Sequence, residues 1–442
     1  MFERNLEKEL KKWKDSPIRK VLILRGARQV GKTSVVRKFG AANFDQVVEI
    51  NLEQKEQRQW LDGVVSIADF AIRIELYWKK VLKDRHTLLF IDEAQESSSV
   101  LALLRFFAEE RPELHVIVAG SLLEAKMAGN WSVPVGRVEY MYLYPLTFFE
   151  YLTAIGQSQW RSYGEKLKMG EKIIGSDQLK KLFLEYMLVG GLPEAVASIA
   201  KGQGIGIVME IQERLFSAYN EDISKYAHDT EKKYVDLVMR TAPKLAGGLF
   251  KYENMGSSGY RGREVREAVE TLEKIMLLTQ IKAVNTTSLP LFFKPKRAKK
   301  MIWLDIGLVN LANKSHQTVF EGTYQGRLME QVVGQTLVAG GVRKKTDVYY
   351  WARNRDLGSA EVDFVIQSGG QIVAMEVKSG KMREMKSLFS MMESDPENVI
   401  PVRVSWDTLG TENYRYSGKE YKILSLPFYL LERWGDFIGE FV

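Results

Sequence analysis

The sequence predicts an α/β protein: a parallel sheet built around a phosphate-binding loop, then a helical region, then a second α/β segment. Three observations predict it. In the first third, short unbroken apolar runs alternate with helical periodicity, the pattern of βα units on a parallel sheet. One strand-to-helix turn reads Gly26-Ala27-Arg28-Gln29-Val30-Gly31-Lys32-Thr33, the G-x-x-x-x-G-K-[ST] spacing of a loop that wraps phosphate. From about residue 150 the alternation gives way to helical periodicity, and strand patterns return in the last third.

Composition bounds the rest. The chain has 442 residues, 45% of them hydrophobic and 27% charged, which is globular rather than disordered. At ~150 residues per domain this suggests about three domains, placed at residues 1–150, 151–320 and 321–442. Zero cysteines exclude disulfides, thiolate metal sites and thiol nucleophiles. His86, His115, His228 and His316 are scattered without metal-ligand spacing and read as surface or packing residues. No apolar run approaches the ~18 residues of a membrane span. The opening MFERNLEKELKKWKD is too charged for a secretory signal, so a cytoplasmic location is expected. A net charge of +7 is compatible with an anionic partner such as DNA without requiring one.

Residues 21–24, Val-Leu-Ile-Leu, form the first buried strand. Gly26 and Gly31 let the loop after it curl so that backbone N–H groups face phosphate, with the following helix contributing its N-terminus. Val35, Val36 and Phe39 give that helix an apolar face, and Ser34 lies in its first turn. In this pattern Lys32 reaches the β- and γ-phosphates of ATP and Thr33 ligates Mg2+. A second strand, Leu88-Leu89-Phe90-Ile91, ends in Asp92-Glu93. Asp92 fits the Mg2+-holding carboxylate, and Glu93 fits a base that polarises the attacking water, which favours hydrolysis over transfer to an acceptor. Val100, Leu103, Leu104 and Phe107 then mark a packing helix. A third strand, residues 115–119, leads to Ser121, which is either a γ-phosphate sensor between the two motifs or a helix N-cap.

These segments, with VIVAGSLL and VGRVEYMYLYPLTFFEYL after them, resemble the AAA+ superfamily ATPases of bacteria and archaea that carry a C-terminal domain of unknown function. Residues 190–194 (GGLPE) and 219–223 (YNEDI) share the likeness. The resemblance implies an ATPase that works as an assembly. It also implies that Arg137, after Gly136, is an arginine finger or sensor supplied by this or a neighbouring subunit; its other reading is a solvated loop charge.

In the middle region Val265, Val269, Leu272 and Ile275 recur along a helix from about 264 to 278, followed by TQIKAVN and LFFKPK as two strands. That order resembles a winged helix, in which a helix enters the DNA major groove. Lys294, Lys296, Arg297, Lys299 and Lys300 form a basic cluster suited to phosphates, or a solvated charge run. In the last third, Gly322 and Gly326 punctuate the chain ahead of a helix bearing Met329, Val332, Val333 and Leu337, with Glu330 beside that stripe. VYYWAR precedes a hairpin of residues 361–366 and 372–378, turned at Gly369-Gly370. A two-residue type I′ turn there sets Asp363 opposite Glu376, with Lys378 on the same face; a three-residue turn slips that register by one. Two carboxylates and a lysine on one face suit a divalent metal that activates water, or a surface salt-bridge ladder. The arrangement resembles the PD-(D/E)xK nuclease core of restriction endonucleases, with Glu330 as the upstream acid and Val362 where that core has proline. Function is therefore expected to be Mg2+-dependent ATP hydrolysis that moves a nuclease-like, DNA-binding C-terminal domain. The alternatives are a nucleotide-gated switch with little turnover and an ATP-regulated metal-dependent nuclease.

Overall fold

The computed structural model describes residues 1–121, 136–226, 229–314, 322–353, 360–380, 385–395, 397–406 and 408–441. His228, His316, Leu122, Leu123, Val135 and the polar turn after Arg353 lie outside them. The chain divides into two compact units. Unit 1 is residues 1–144, 274–276 and 341–345, and unit 2 is residues 145–273, 277–340 and 346–442.

Unit 1 runs α1 (Leu6–Lys14), β1 (Val21–Arg25), α2 (Lys32–Asn43), β2 (Gln46–Asn51), α3 (Lys55–Trp60), α4 (Ile67–Trp78), β3 (Thr87–Asp92), α5 (Ser98–Glu110), β4 (His115–Ala119) and β5 (Val138–Tyr142). The five strands form one sheet in the order β2-β3-β4-β1-β5, and every pairing is parallel. The α/β parallel sheet expected from the apolar runs is present. β1, β3 and β4 are buried along their whole length, as unbroken apolar strands under helices must be. β2 and β5 carry polar residues and are half-buried, so they left no comparable run. The stripe of α5 packs with Phe70 and Ile74 of α4 in one core, and Ser97 caps α5 by accepting from Val100 N–H.

Unit 2 continues with α6 (Phe148–Ala154), α7 (Ser158–Lys166), α8 (Ser176–Val189), α9 (Pro193–Ala200), α10 (Ile205–Tyr226), α11 (Asp229–Leu245), β6 (Leu249–Phe250), α12 (Gly262–Lys274), β7 (Leu278–Val284), β8 (Lys299–Trp303), α13 (Ile306–Asn313) and α14 (Gly322–Ala339). It closes with β9 (Val348–Ala352), β10 (Glu361–Ser368), β11 (Gln371–Val377), α15 (Lys386–Ser394), β12 (Val399–Ser405), β13 (Gly410–Tyr416), β14 (Lys419–Pro427) and α16 (Trp434–Phe441). Its strands make one mixed nine-stranded sheet, β13-β14-β12-β11-β10-β9-β7-β8-β6. Residues on both sides of position 320 thus share a sheet, because β7 pairs in parallel with β9.

Three local expectations are corrected. LFFKPK is not a strand: Phe293 makes an isolated bridge to Val284, and the strands that pair with β7 are β8 and β9, since Pro290 precedes that run and Pro295 interrupts it. The helix before it ends at Lys274, short of Ile275. Gly322 and Gly326 lie inside α14 rather than ahead of it. The hairpin register, by contrast, is as the two-residue turn requires: Phe364 faces Met375 and Ser368 faces Gln371. Gly369 and Gly370 have φ of 56° and 82°, the left-handed pair of a type I′ turn.

The segment Gly190-Gly191 is a point of close approach in unit 2. Gly191 N–H donates to the buried Asp305 Oδ2 at 2.6 Å, while Asp305 Oδ1 accepts from Gly307 N–H at 3.0 Å and caps α13. Leu146 N–H donates to Gly191 O at 2.6 Å. Burial raises the Asp305 carboxyl to about 6 against the pull of these donors. Folded Asp305 therefore holds its proton at a pH where the unfolded side chain has lost it, so its contribution to stability falls as pH rises from about 4 to 6. Asp305→Asn is expected to flatten that part of the pH profile, read by thermal melts between pH 4 and 7.

Candidate functional site

The nucleotide-loop residues stand together at the carboxyl edge of the unit 1 sheet. β1 delivers the loop and β3 delivers Asp92 and Glu93. β4, inserted between them, delivers Ser121. Loop curvature comes from left-handed residues, Gln29 at φ 61° and Gly31 at φ 98°. Gly26 is required for another reason. A Cβ there would lie 2.4 Å from Leu143 O, so only glycine admits the neighbouring main chain. Ala27 and Val30 are buried, Gln29 and Ser34 are exposed, and Arg28 pairs with Glu53 at 3.6 Å.

Lys32 is buried and turns back across the loop, donating to Gly26 O at 3.0 Å and Ala27 O at 2.9 Å. Burial lowers its pKa to about 8, against the raising influence of Glu93 and Asp92. A bound polyphosphate favours the charged form, so ATP binding above pH 8 must take up a proton and weaken as pH rises. Calorimetry in buffers of different ionisation enthalpy is expected to show that uptake at pH 8.5 and little at pH 7.

Thr33 Oγ1 donates to Asp92 Oδ2 at 2.5 Å, and burial raises the Asp92 carboxyl. A hydroxyl and a buried carboxylate side by side are the oxygen donors a hydrated Mg2+ uses, so this pair fits the ion. Glu93 is held at φ 50°. Its N–H donates to Asp92 Oδ1 at 3.1 Å, and Gln95 Nε2 donates to its carboxylate at 2.5 Å. A non-glycine residue fixed in the left-handed region costs ~1–3 kcal/mol and is typical of functional sites. Ser121 Oγ is buried with no hydrogen-bond partner among the described residues, a polar atom left for a ligand or water to satisfy.

Arg137 does not join this group. It precedes β5, whose first residue Val138 pairs with Val21, whereas the loop leaves from the far end of β1 after Arg25. The strand length between them is on the order of 15 Å at ~3.3 Å per residue, and its guanidinium pairs with Glu109 at 2.9 Å. Its reading as a residue for this subunit's own nucleotide is corrected.

Arg4 is a site residue the sequence concealed among opening charges. It is buried and donates to Val30 O at 3.0 Å within the loop and to Tyr144 O at 2.6 Å. Arg4→Met is expected to weaken ATP binding about tenfold, the ~1.5 kcal/mol of a lost charge-assisted hydrogen bond, with kcat little changed; titration calorimetry and steady-state kinetics check it.

The basic cluster disperses. Lys294 and Lys296 are exposed, while Arg297 donates to Arg353 O, Lys299 lies over the Tyr252 ring and Lys300 is buried. On α12 the outward Arg263 and Arg266 pair with Glu267 and Glu270, which neutralises the face expected to meet DNA. Of the hairpin residues, Glu376 Oε1 accepts from Lys378 Nζ at 2.5 Å. Asp363 and Glu330 instead face Lys300. Among the described residues no group of three or more His, Asp or Glu is arranged to hold a metal ion. His115 is a packing residue between Trp13 and Phe44, and no described helix is long and apolar enough to cross a membrane.

Comparison with known proteins agrees with this geometry in the first third. Residues 18–152 match a family model described as an AAA domain. Residues 180–318 and 325–429 match two domains of unknown function, DUF8612 and DUF4143. No curated protein matches the chain. Among solved structures, the Holliday junction branch migration motor RuvB of Thermotoga maritima is 15% identical with a TM-score of 0.28, over 67% of this chain and 93% of its own. The S. cerevisiae Hsp104–ADP complex is 16% identical with a TM-score of 0.28, over 62% and 38%. Both likenesses are remote, and the fold rests on the strand order.

Proposed function

We propose that the AAA-type domain at residues 18–152 binds ATP with Mg2+ and hydrolyses it, and that the cycle moves the remainder of the chain. The observation that carries this is the convergence, at the ends of β1 and β3 with β4 between them, of a lysine-bearing phosphate loop, the Thr33–Asp92 pair and the strained Glu93. An inserted strand between loop and carboxylates provides room for a water that Glu93 can polarise. Lys32 would exchange its two carbonyl partners for phosphate oxygens, and Ser121 would meet the terminal phosphate. When bound at Thr33 and Asp92, Mg2+ would neutralise phosphate charge.

Two features of unit 1 support the coupling. Arg25, the last residue before the loop, donates to Lys274 O at 3.0 Å. Tyr142 N–H donates to Val342 O at 2.8 Å. Segments 274–276 and 341–345, both embedded in unit 2 sequence, are thus fastened beside the strand that ends in the phosphate loop. A shift of that loop would pull on both. Arg137, remote from its own site, would act only on a neighbouring subunit's nucleotide in an assembly.

Steady-state ATP hydrolysis with and without single- and double-stranded DNA tests the reading. Lys32→Ala is expected to lose ATP binding by a factor of about 10^2 or more, about two charge-assisted hydrogen bonds' worth. Turnover equal to wild type in that variant would overturn it. Tight ATP binding with no turnover under any condition would replace hydrolysis with a nucleotide switch.

A further inference from the structure

The acidic cluster of unit 2 already contains a cation. Lys300 is the second residue of β8, where its main chain pairs with Leu249 on one side and Ile281 on the other. Its side chain is 1% exposed. The ammonium lies 2.6 Å from Glu330 Oε2 on α14, 3.2 Å from Asp363 Oδ1 and 3.7 Å from Glu361 Oε1 on β10. Asp363 O accepts from it at 3.2 Å, and the Phe364 ring lies 5.0 Å away. The second carboxylate oxygen of Asp363 accepts from Val377 N–H at 2.9 Å.

We propose that Lys300 is the resident cation of this cluster, seated on Asp363 and Glu330, two of the three carboxylates expected together with Glu376 to hold a divalent ion, so that this sheet carries no metal-dependent hydrolytic centre. A hydrated Mg2+ or Mn2+ needs about six oxygens in near-octahedral array. Here both oxygens of Asp363 are committed, one to a covalently tethered ammonium and one to a backbone N–H, and one oxygen each of Glu330 and Glu361 faces the same ammonium. A second cation on Asp363 would meet that ammonium at a few ångström in a buried site, where like charges repel strongly. The lysine cannot swing out, because its stem is enclosed and its strand is paired on both edges. Three carboxylates from two elements are instead drawn onto one fixed charge, which pins α14 and β10 to β8. Glu376 is the residue on which the idea is most exposed: its Oε2 is buried without a hydrogen-bond partner among the described residues, so a bound ion would announce itself there. The inference stands apart from the nucleotide reading and survives its failure.

Calorimetric titration of the nucleotide-free full chain with Mn2+ tests it, using wild type, Asp363→Asn and Glu376→Gln. The expected result is no binding that depends on Asp363 or Glu376; heat that persists in both variants belongs to other sites and agrees with the proposal. Wild-type binding abolished by either substitution overturns it. Thermal melts give an independent readout. Asp363→Asn is expected to lower the melting temperature by roughly 5–15 °C, as breaking a buried pair does, and by much less in a Lys300→Met background. Equal losses in both backgrounds would also overturn it. Should Lys300→Met fail to fold, the titration of wild type still decides.

Discussion

Glu93→Gln is expected to lower ATP turnover by a factor of about 10^2 to 10^4, the usual worth of a positioned general base, while leaving ATP affinity within a few-fold of wild type. The side chain is isosteric and the main chain need not move, so the left-handed backbone at φ 50° and the hydrogen bond to Asp92 Oδ1 survive. What is lost is a carboxylate able to take a proton from water. Gln95 Nε2 holds that carboxylate at 2.5 Å, and Gln95 Oε1 is buried without a partner among the described residues. Gln95 therefore aims Glu93 rather than acting on substrate, and Gln95→Ala should cost turnover less than Glu93→Gln does. Single-turnover hydrolysis alongside equilibrium ATP binding separates the two effects. Wild-type turnover in Glu93→Gln would remove Glu93 from the chemistry.

Gly191→Ala is expected to destabilise unit 2 by roughly 3–5 kcal/mol, combining main-chain overpacking with a weakened hydrogen bond to a buried carboxylate. The added Cβ would lie 2.1 Å from Leu146 O and 2.8 Å from Leu146 N. Neither neighbour can rotate away, because both are main-chain atoms and Leu146 N–H is already bonded to Gly191 O. Any displacement of Gly191 also pulls its N–H from Asp305 Oδ2. Gly202→Ala is the control: it has φ 77° but open space around the new methyl, so it should cost only the ~1–2 kcal/mol of a left-handed alanine. Denaturant unfolding of the two variants compares them, and equal losses would show that close approach is not what Gly191 serves.

The two changes probe parts of the molecule that differed in legibility. The phosphate loop, Asp92 and Glu93 were readable because their chemistry depends on spacing along the chain and on strand ends that apolar runs mark. The 363–376 hairpin was readable for the same reason: two glycines fix the turn, and the turn fixes the register. Arg4, Lys300 and Asp305 were not readable. Arg4 and Lys300 resemble the solvated charges around them in sequence, Asp305 is an isolated charge in an apolar run, and each is buried by partners brought in from far along the chain, Lys300 by Asp363 from 63 positions away. The basic run at 294–300 shows the error this invites, since β8 sends Lys300 to a buried face while Lys299, on the other face, is half-buried over the Tyr252 ring.

The sequence alone thus determined that a G-x-x-x-x-G-K-T loop would follow one buried strand, that Asp92 and Glu93 would end another, and that a parallel sheet would present them, because these follow from short-range spacing and strand period. Only the tertiary structure decided that β4 separates β1 from β3, that Arg137 is out of reach of its own loop, and that a lysine fills the acidic cluster. Those outcomes depend on which distant strands pair and on which charges lose their water, and neither is encoded in any local pattern.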